Sequence, residues 1–243
     1  MNLLIDLGNS RLKWAMGAPD AWQVRNLPAR DPGAIVDQNW RELPPPDKVV
    51  IASVTDRERL DSLTQWIERH WSLTPHVLKS QSEQLGVENC YHDPVRLGAD
   101  RWAALIAARH MGPSSTCVVD CGTAVTVDTL SSAGKFLGGV IFPGLGPLRA
   151  SLVQATAGLK NETGDDRDCL ARSTADGIAA GTLFGLAGAI DRLLAEVQLS
   201  LDPPLSILIT GGDTPTLVPR LKAKVTEVPD LVLRGLARVA ESL

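Results

Sequence analysis

Residues 3–14 read LLIDLGNSRLKW. An apolar run enters Asp6, Gly8 and two small polar residues, and side-chain alternation then resumes. Leu12, Trp14 and Met16 fall on one face, with Arg11, Lys13 and Ala15 on the other. A period of two marks strand, so Leu3–Asp6 and Leu12–Met16 form the arms of a hairpin around Leu7–Arg11. A lone D-x-G-N is what an ordinary Asx turn would use. The same pattern returns at 117–128, CVVDCGTAVTVD, with Val125 and Val127 alternating against Thr126 and Asp128. Two copies, each after an apolar strand and each near the head of half the chain, make internal duplication the better reading.

Outward from these turns, strands and helices alternate, the pattern of an α/β protein. A polar, proline-bearing stretch and Pro44-Pro45-Pro46 lead to a buried strand, KVVIASV (48–54), and a helix over 56–71. HVLKS (76–80) reads as a strand. GADRWAALIAARHMG (98–112) reads as a helix with Asp100 at its start and Gly112 just past its end, and the domain boundary is placed there, giving 1–112 and 113–243. In the second half, FLGGVIFPG is a glycine-rich strand, and 173–197 is a long Ala- and Gly-rich helix whose small residues suggest close packing against a neighbour. SILITGG (206–212) is a buried strand running into two glycines, and PDLVLRGLARVAESL is a closing helix. The polar segment 160–172 reads as a mobile surface loop.

The 243 residues carry 28 acidic and 24 basic side chains, which gives no electrostatic reason to expect nucleic acid or an anionic membrane as partner. The N-terminus has no basic stretch followed by an apolar run, so no signal peptide is expected. Apolar runs are interrupted by Gly, Asp or Arg before the roughly 18 residues of a membrane span. Cys90, Cys117, Cys121 and Cys169 lack paired spacing and the histidines are scattered, which argues against a disulfide framework or zinc. A reduced cytoplasmic protein is the expectation.

The two turns suit phosphate. Gly8 and Gly122 lack the Cβ that would keep an anion from backbone N–H groups, while Asn9, Ser10, Thr123 and Thr126 add side-chain donors. Lys13 offers a mobile positive charge. Asp6 and Asp120 would repel a polyphosphate unless a cation intervened, and Mg²⁺ bridges carboxylate to phosphate in this way. Phosphoryl transfer also needs a group to take the acceptor hydroxyl's proton. Asp100 is the candidate, since an ordinary aspartate is ionised at neutral pH; a helix N-cap is its other reading. Arg101 could bind a carboxylate or phosphoryl group, or be a surface helix charge. Thr210-Gly211-Gly212 allows close approach of a base or ribose, or is a tight turn.

IDLGNSRLKW, YHDPVRLGADRW, VVDCGTAVTVD, GGVIFPGL, STADGI and ITGGD occur in the order found in type III pantothenate kinases, and the match runs from Asp6 to the closing PDLVLRGLA. The chain resembles that family, part of the acetate and sugar kinase, heat-shock chaperone and actin superfamily. D-x-G-N and D-x-G-T are superfamily elements; G-x-D-R-W after a tyrosine, with D-C-G-T-A, is much narrower. The resemblance implies two duplicated actin-like (ribonuclease H-like) domains, each a mixed sheet flanked by helices, with the nucleotide in the cleft between them. It implies ATP-dependent phosphorylation of pantothenate at its terminal hydroxyl, the first step toward coenzyme A, by a homodimer requiring Mg²⁺ and a monovalent cation (K⁺ or NH₄⁺).

Carried over by resemblance, Asp6, Leu7, Gly8, Asn9, Ser10, Arg11, Leu12 and Lys13 form the first phosphate loop, with Asp6 orienting hydrated Mg²⁺. Gly122 and Thr123 belong to the second loop, where Thr123 contacts ATP phosphate and Asp120 binds the monovalent cation. Tyr91, Gly98, Ala99, Asp100 and Arg101 contact pantothenate, Asp100 as base, and Thr174 reaches the substrate from the partner subunit. Read alone, Tyr91 is a half-buried aromatic and Thr174 a capping residue ahead of a helix. Ser10 stands where many members carry Thr, which keeps the hydroxyl, and Cys121 reads as a buried small hydrophobe.

The same clamp serves other small-molecule kinases and polyphosphate hydrolases, and a nucleotide-sensing transcription accessory protein is the reading from another class. Asp100-Arg101 at a helix start beside a tyrosine speaks for an acceptor site over a water site. The lack of a helix-turn-helix or basic patch speaks against DNA, and Asp6, Asp100, Asp120 and Thr123 together favour catalysis.

Overall fold

The computed structural model describes residues 1–17, 19, 21–155, 164–201 and 203–243. They form two compact units. The first comprises Met1–Pro113, Gly134–Phe136 and Asp230–Leu243; the second comprises Ser114–Ala133 and Leu137–Pro229.

The first unit opens with the expected hairpin. Strand β1 (Leu3–Leu7) pairs antiparallel with β2 (Arg11–Met16), with Leu7 opposite Leu12 and Asp6 opposite Lys13. Next come β3 (Arg25–Pro28), α1 (Pro32–Trp40), β4 (Val49–Ser53), α2 (Arg57–Trp71) and β5 (His76–Val77). The sheet order is β3-β2-β1-β4-β5, with β4 parallel to β1 and β5 parallel to β4. Leu3, Ile5, Leu7, Leu12 and Trp14 face a core closed by Val36 and Trp40 of α1 and Leu63, Trp66 and Ile67 of α2.

Helix α1 and β3 lie in the stretch that reads as merely polar. The signal for α1 is brief: Asp31 caps the Ala34 amide at 3.2 Å, and Pro32 sits in the first turn. A small hairpin follows, β6 (Glu83–Gln84) and β7 (Val87–Asn89). Its two turn residues, Leu85 and Gly86, have φ of 51° and 78°, the left-handed pair that a tight two-residue hairpin requires. Lys135 and Phe136 pair alongside β7, opposite Glu88 and Asn89.

Helix α3 (Ala99–Met111) is buried from Arg101 to Ala108. It lies against the C-terminal helix Leu231–Ser242, where a Cβ on Gly235 would overlap the Ala103 carbonyl. The two helix backbones touch, and only glycine permits it.

The second unit repeats the plan. Strand β8 (Ser115–Cys121) pairs antiparallel with β9 (Ala124–Leu130), which neighbours β10 (Lys135–Pro143). After α4 (Leu145–Ala155) and α5 (Thr174–Leu199), β11 (Leu205–Thr210) runs parallel to β8. Past α6 (Thr214–Leu217), β12 (Thr226–Glu227) runs parallel to β11. The order β10-β9-β8-β11-β12 has the same connectivity as β3-β2-β1-β4-β5, and β8 is antiparallel to β9 and parallel to β11 as β1 is to β2 and β4. Two mixed sheets flanked by helices, built on one plan, are the α/β architecture the repeated motif predicts.

Two expectations are corrected. Helix α5 is long and apolar enough to cross a membrane by length and composition, so its interrupting residues do not break the run as expected. Its inward side chains Leu183, Leu186, Ile190 and Leu194 pack against Cys117, Val119 and Cys121 of β8 and Ile207 and Ile209 of β11. Among the described residues its glycines do not pack closely on a neighbour: Gly177, Gly181, Gly185 and Gly188 meet none of them where a Cβ would stand. Of the segment 160–172, residues 160–163 lie outside the described residues, and the described remainder is mainly exposed.

Candidate active site

The first turn is closed by the Gly8 N–H donating to the Arg11 carbonyl at 3.0 Å. Asn9, Ser10 and Arg11 are exposed, and Asp6, Gly8 and Lys13 are half-buried. Asp6 and Lys13 are directly opposed across the ladder, so their side chains share one face of the sheet. Leu7 and Leu12 are fully buried, so only their backbones are available to a ligand.

Two residues that the sequence does not single out hold this turn. Arg59 of α2 donates from Nη1 to the Asn9 carbonyl at 3.1 Å. Asp56 caps the same helix through the Arg59 amide, which, with the Arg59 charge, keeps its carboxyl below the ordinary value. Val54, just after β4, donates its N–H to the Leu7 carbonyl at 3.2 Å and accepts from Asn9 Nδ2 at 3.4 Å.

Val54 also faces the start of α3. A Cβ on Gly98 would stand 3.5 Å from Val54 Cγ1 and only 2.6 Å from Asp100 Oδ1. One residue thus has the first turn on one side and the Gly98–Asp100 corner on the other. Gly98, not Asp100, is the N-cap of α3, and Asp100 lies in the first turn with Oδ1 accepting the Arg101 amide at 2.7 Å. The capping alternative for Asp100 therefore does not hold.

Nor is Arg101 a surface charge. It is 8% exposed, donates from Nη1 to the Tyr91 hydroxyl at 2.9 Å, and its guanidinium sits 5.8 and 5.9 Å from the ring centres of Tyr91 and Phe136. Those rings lie 5.4 Å apart. Guanidinium over aromatic faces is an attractive and orienting contact, and a buried cation on a protein's binding face is suited to meeting an anion. The structure therefore brings Tyr91, Gly98, Ala99, Asp100 and Arg101 together. Phe136 completes the group from a distant part of the chain.

In the second unit, the Gly122 N–H donates to the Ala124 carbonyl at 3.1 Å, and Thr123 is exposed at the tip. This turn is backed by glycine at two points. A Cβ on Gly144 or on Gly211 would overlap the Gly122 or the Cys121 carbonyl, and Gly211 also has a φ of 103°. The Gly144 N–H donates to the Thr123 carbonyl and the Asp213 N–H to the Cys121 carbonyl, each at 2.9 Å. Gly211 thus marks a close backbone approach to the second turn.

Asp120 stands opposite Thr126 on β9 and in register with Thr210 on β11. Thr126 Oγ1 is buried with no hydrogen-bond partner among the described residues. Carboxylate and hydroxyl oxygens are hard donors, the kind an alkali cation accepts. At the first turn the single carboxylate of Asp6 suits Mg²⁺, which keeps its waters and takes one or two carboxylates plus phosphate. No group of three or more His, Cys, Asp or Glu able to hold a metal occurs among the described residues.

Thr174 is the first residue of α5 and is exposed. The cap is Ser173, whose Oγ accepts the Asp176 amide at 3.1 Å and donates to Asp176 Oδ2 at 2.6 Å. Thr174 lines an apolar groove of about 700 Å³ with Phe142, Leu148, Leu152, Ile178 and Gly181.

Burial raises the thiols of Cys117 and Cys121 to about 12, with Asp120 and Asp213 adding to the effect at Cys121 and Asp128 at Cys117. A thiol reagent at pH 8 is therefore expected to modify the exposed Cys90 and Cys169 rapidly and to spare Cys117 and Cys121 until the protein unfolds. Rapid reaction of all four in the native protein would contradict this.

The family model for type III pantothenate kinase matches residues 2–196. The type III pantothenate kinase of Nitrosococcus oceani is 39% identical, the alignment covering 99% of this chain and 94% of that protein. That of Laribacter hongkongensis is 40% identical, with 99% and 98% covered. Among solved structures, glucokinase from an Antarctic psychrotroph aligns with a TM-score of 0.54 at 11% identity, covering 100% of this chain and 99% of that one. The activator of 2-hydroxyisocaproyl-CoA dehydratase from Clostridium difficile aligns at 0.56 and 11%, covering 99% and 96%. The structural likenesses extend to the actin-like kinase fold, while the sequence likenesses are narrower and run nearly the full length: the chain belongs to the type III pantothenate kinase family.

Proposed function

We propose that this protein transfers the γ-phosphoryl group of ATP to the terminal hydroxyl of pantothenate, giving 4′-phosphopantothenate, the first step of coenzyme A biosynthesis. Family membership supports the reaction. The observation that carries the site assignment is the position of Val54, which has a phosphate-accepting turn on one side and the Asp100 corner on the other.

In this reading Asp100 accepts the hydroxyl proton late in a loose transition state. Arg101, with Tyr91 against it, meets the pantothenate carboxylate, and Gly98 and Ala99 line the same corner. Backbone N–H groups at Asn9 and Ser10 hold phosphate oxygens, Gly8 leaves room for their approach while its own N–H closes the turn on Arg11, and Lys13 adds a positive charge on the face it shares with Asp6. Asp6 holds Mg²⁺ through water, and the ion would supply neutralisation of phosphate charge. Thr123 donates to phosphate from the second turn, where Gly122 leaves room for its approach, and Asp120, with Thr126, would hold K⁺ or NH₄⁺.

Residues 1–112 and 113–243 are read as two copies of one ancestral half, each with its phosphate turn, and the matched strand orders support this. A second copy of the chain is the partner we assign to the groove at Thr174, which is apolar and lined in part by Phe142 of β10, a strand that also exposes Leu137, Val140 and Ile141. The reaction needs neither nucleic acid nor a membrane and is placed in the cytoplasm.

The test is ADP release from Mg-ATP with and without pantothenate, in potassium and in sodium buffers. Pantothenate-dependent release that requires potassium is the expected result. Release indifferent to pantothenate would replace this reading with another acceptor or a hydrolase, and no release would favour a nucleotide sensor.

A further inference from the structure

We infer that Asn89 is a positioning residue for the acceptor site: its buried amide holds the loop that carries Tyr91, and so sets the guanidinium of Arg101. The inference rests on the reading of the Tyr91–Arg101 corner as the pantothenate site.

Asn89 ends β7 and is 7% exposed, yet its side chain is fully polar. Buried amides persist where their hydrogen bonds are made. Here Oδ1 accepts the Tyr91 amide and Nδ2 donates to the Pro94 carbonyl, both at 3.1 Å. One amide thus spans the base of a loop whose other side chains, Cys90, His92 and Asp93, point to solvent. The loop has no strand ladder of its own, so these bonds stand where backbone pairing would otherwise fix it. Its far end is held in the same manner: Ser80, 3% exposed, donates from Oγ to the Leu97 carbonyl at 2.7 Å, immediately before Gly98.

Tyr91 is the next link. Its ring packs on Phe136, which lies opposite Asn89 in the parallel pairing, and its hydroxyl accepts from Arg101. If the loop loosens, the Tyr91 hydroxyl leaves Arg101, and the guanidinium loses the contact that aims it. The side-chain amide of Asn89 bonds to the Tyr91 and Pro94 backbone and not to the proton-accepting carboxylate. Its removal should therefore weaken acceptor binding and leave the chemical step and nucleotide binding alone.

The experiment is steady-state kinetics of Asn89→Ala, Tyr91→Phe and the double variant. Asn89→Ala is expected to raise KM for pantothenate at least about fivefold, with kcat and KM for ATP within about twofold. Because Asn89 acts through Tyr91, the double variant should be less than additive. Full additivity, or an unchanged KM, would overturn the inference. Should the alanine variant fail to fold, Asn89→Asp carries the test, since it keeps the acceptor for the Tyr91 amide and loses the donor to Pro94. A rise of about threefold in KM is expected, and an unaltered KM counts against the role.

Tyr91 is the only tyrosine in the chain, so 3-fluorotyrosine labelling gives a single ¹⁹F resonance. That resonance should move toward the free amino acid's position in Asn89→Ala. If the unaltered enzyme shows no pantothenate-dependent turnover, the proposed function falls, and the resonance still decides on Asn89. An unmoved line would overturn its role.

Discussion

Asp100→Asn is expected to lower kcat for pantothenate phosphorylation by at least about 100-fold while KM for ATP and the melting temperature stay near those of the unaltered protein. The substitution is isosteric. An amide fits the space over Gly98 as the carboxylate does, and its oxygen can still accept the Arg101 amide. What is lost is the ability to take a proton. Gly98→Ala should act on the same carboxylate by a different route, because its new methyl would stand 2.6 Å from Oδ1 and push Asp100 off its position. The pair separates the chemistry of the group from its placement. Undiminished turnover in Asp100→Asn would remove Asp100 from the mechanism.

Gly235→Ala is expected to be the most destabilising single methyl in the first unit. The added carbon would overlap the Ala103 carbonyl, which is backbone and cannot rotate away. The C-terminal helix must then lift from α3 or slide along it. Overpacking of this kind costs about 3 kcal/mol, which corresponds to a fall of roughly 6–12 °C in Tm for a protein of this size. Ala103 lies two residues beyond Arg101, so the surviving folded protein should also bind pantothenate more weakly. Calorimetry checks the first effect and KM the second. A Tm within about 2 °C of the unaltered protein would contradict the close seat of the two helices.

Both hairpins were legible in the sequence because a period of two is a local property, and their duplication was legible because the two turns repeat in order. Helix α1, β3, the β6–β7 hairpin and α4 were not. They are short, and their signals are single residues such as the Asp31 cap or Gly86. Asp100 could be marked as a site candidate from the residues and Tyr91 only from the family resemblance, but their environment could not be read from either. Arg101 is buried because Phe136 and Tyr91 close on it, and Phe136 arrives on a strand after the second hairpin. Arg59, Val54 and Asn89 carry no motif. Each acts through one or two bonds to a backbone carbonyl or amide, which only a folded chain places. The tail was readable as a helix from its apolar stripe, but its seat on α3 depends on a glycine meeting a carbonyl more than a hundred residues earlier.

That seat has a consequence for synthesis. The first unit draws on segments before and after the second, which is finished at Pro229. As the nascent chain leaves the ribosome, β1 to α3 emerge early with the surface around Ala103 still uncovered, and the second unit can complete itself before that surface is closed. The half that begins first is finished last. A premature stop directly after Pro229 would therefore release a chain whose second unit is whole and whose first unit exposes apolar α3 to whatever chaperone or protease reaches it.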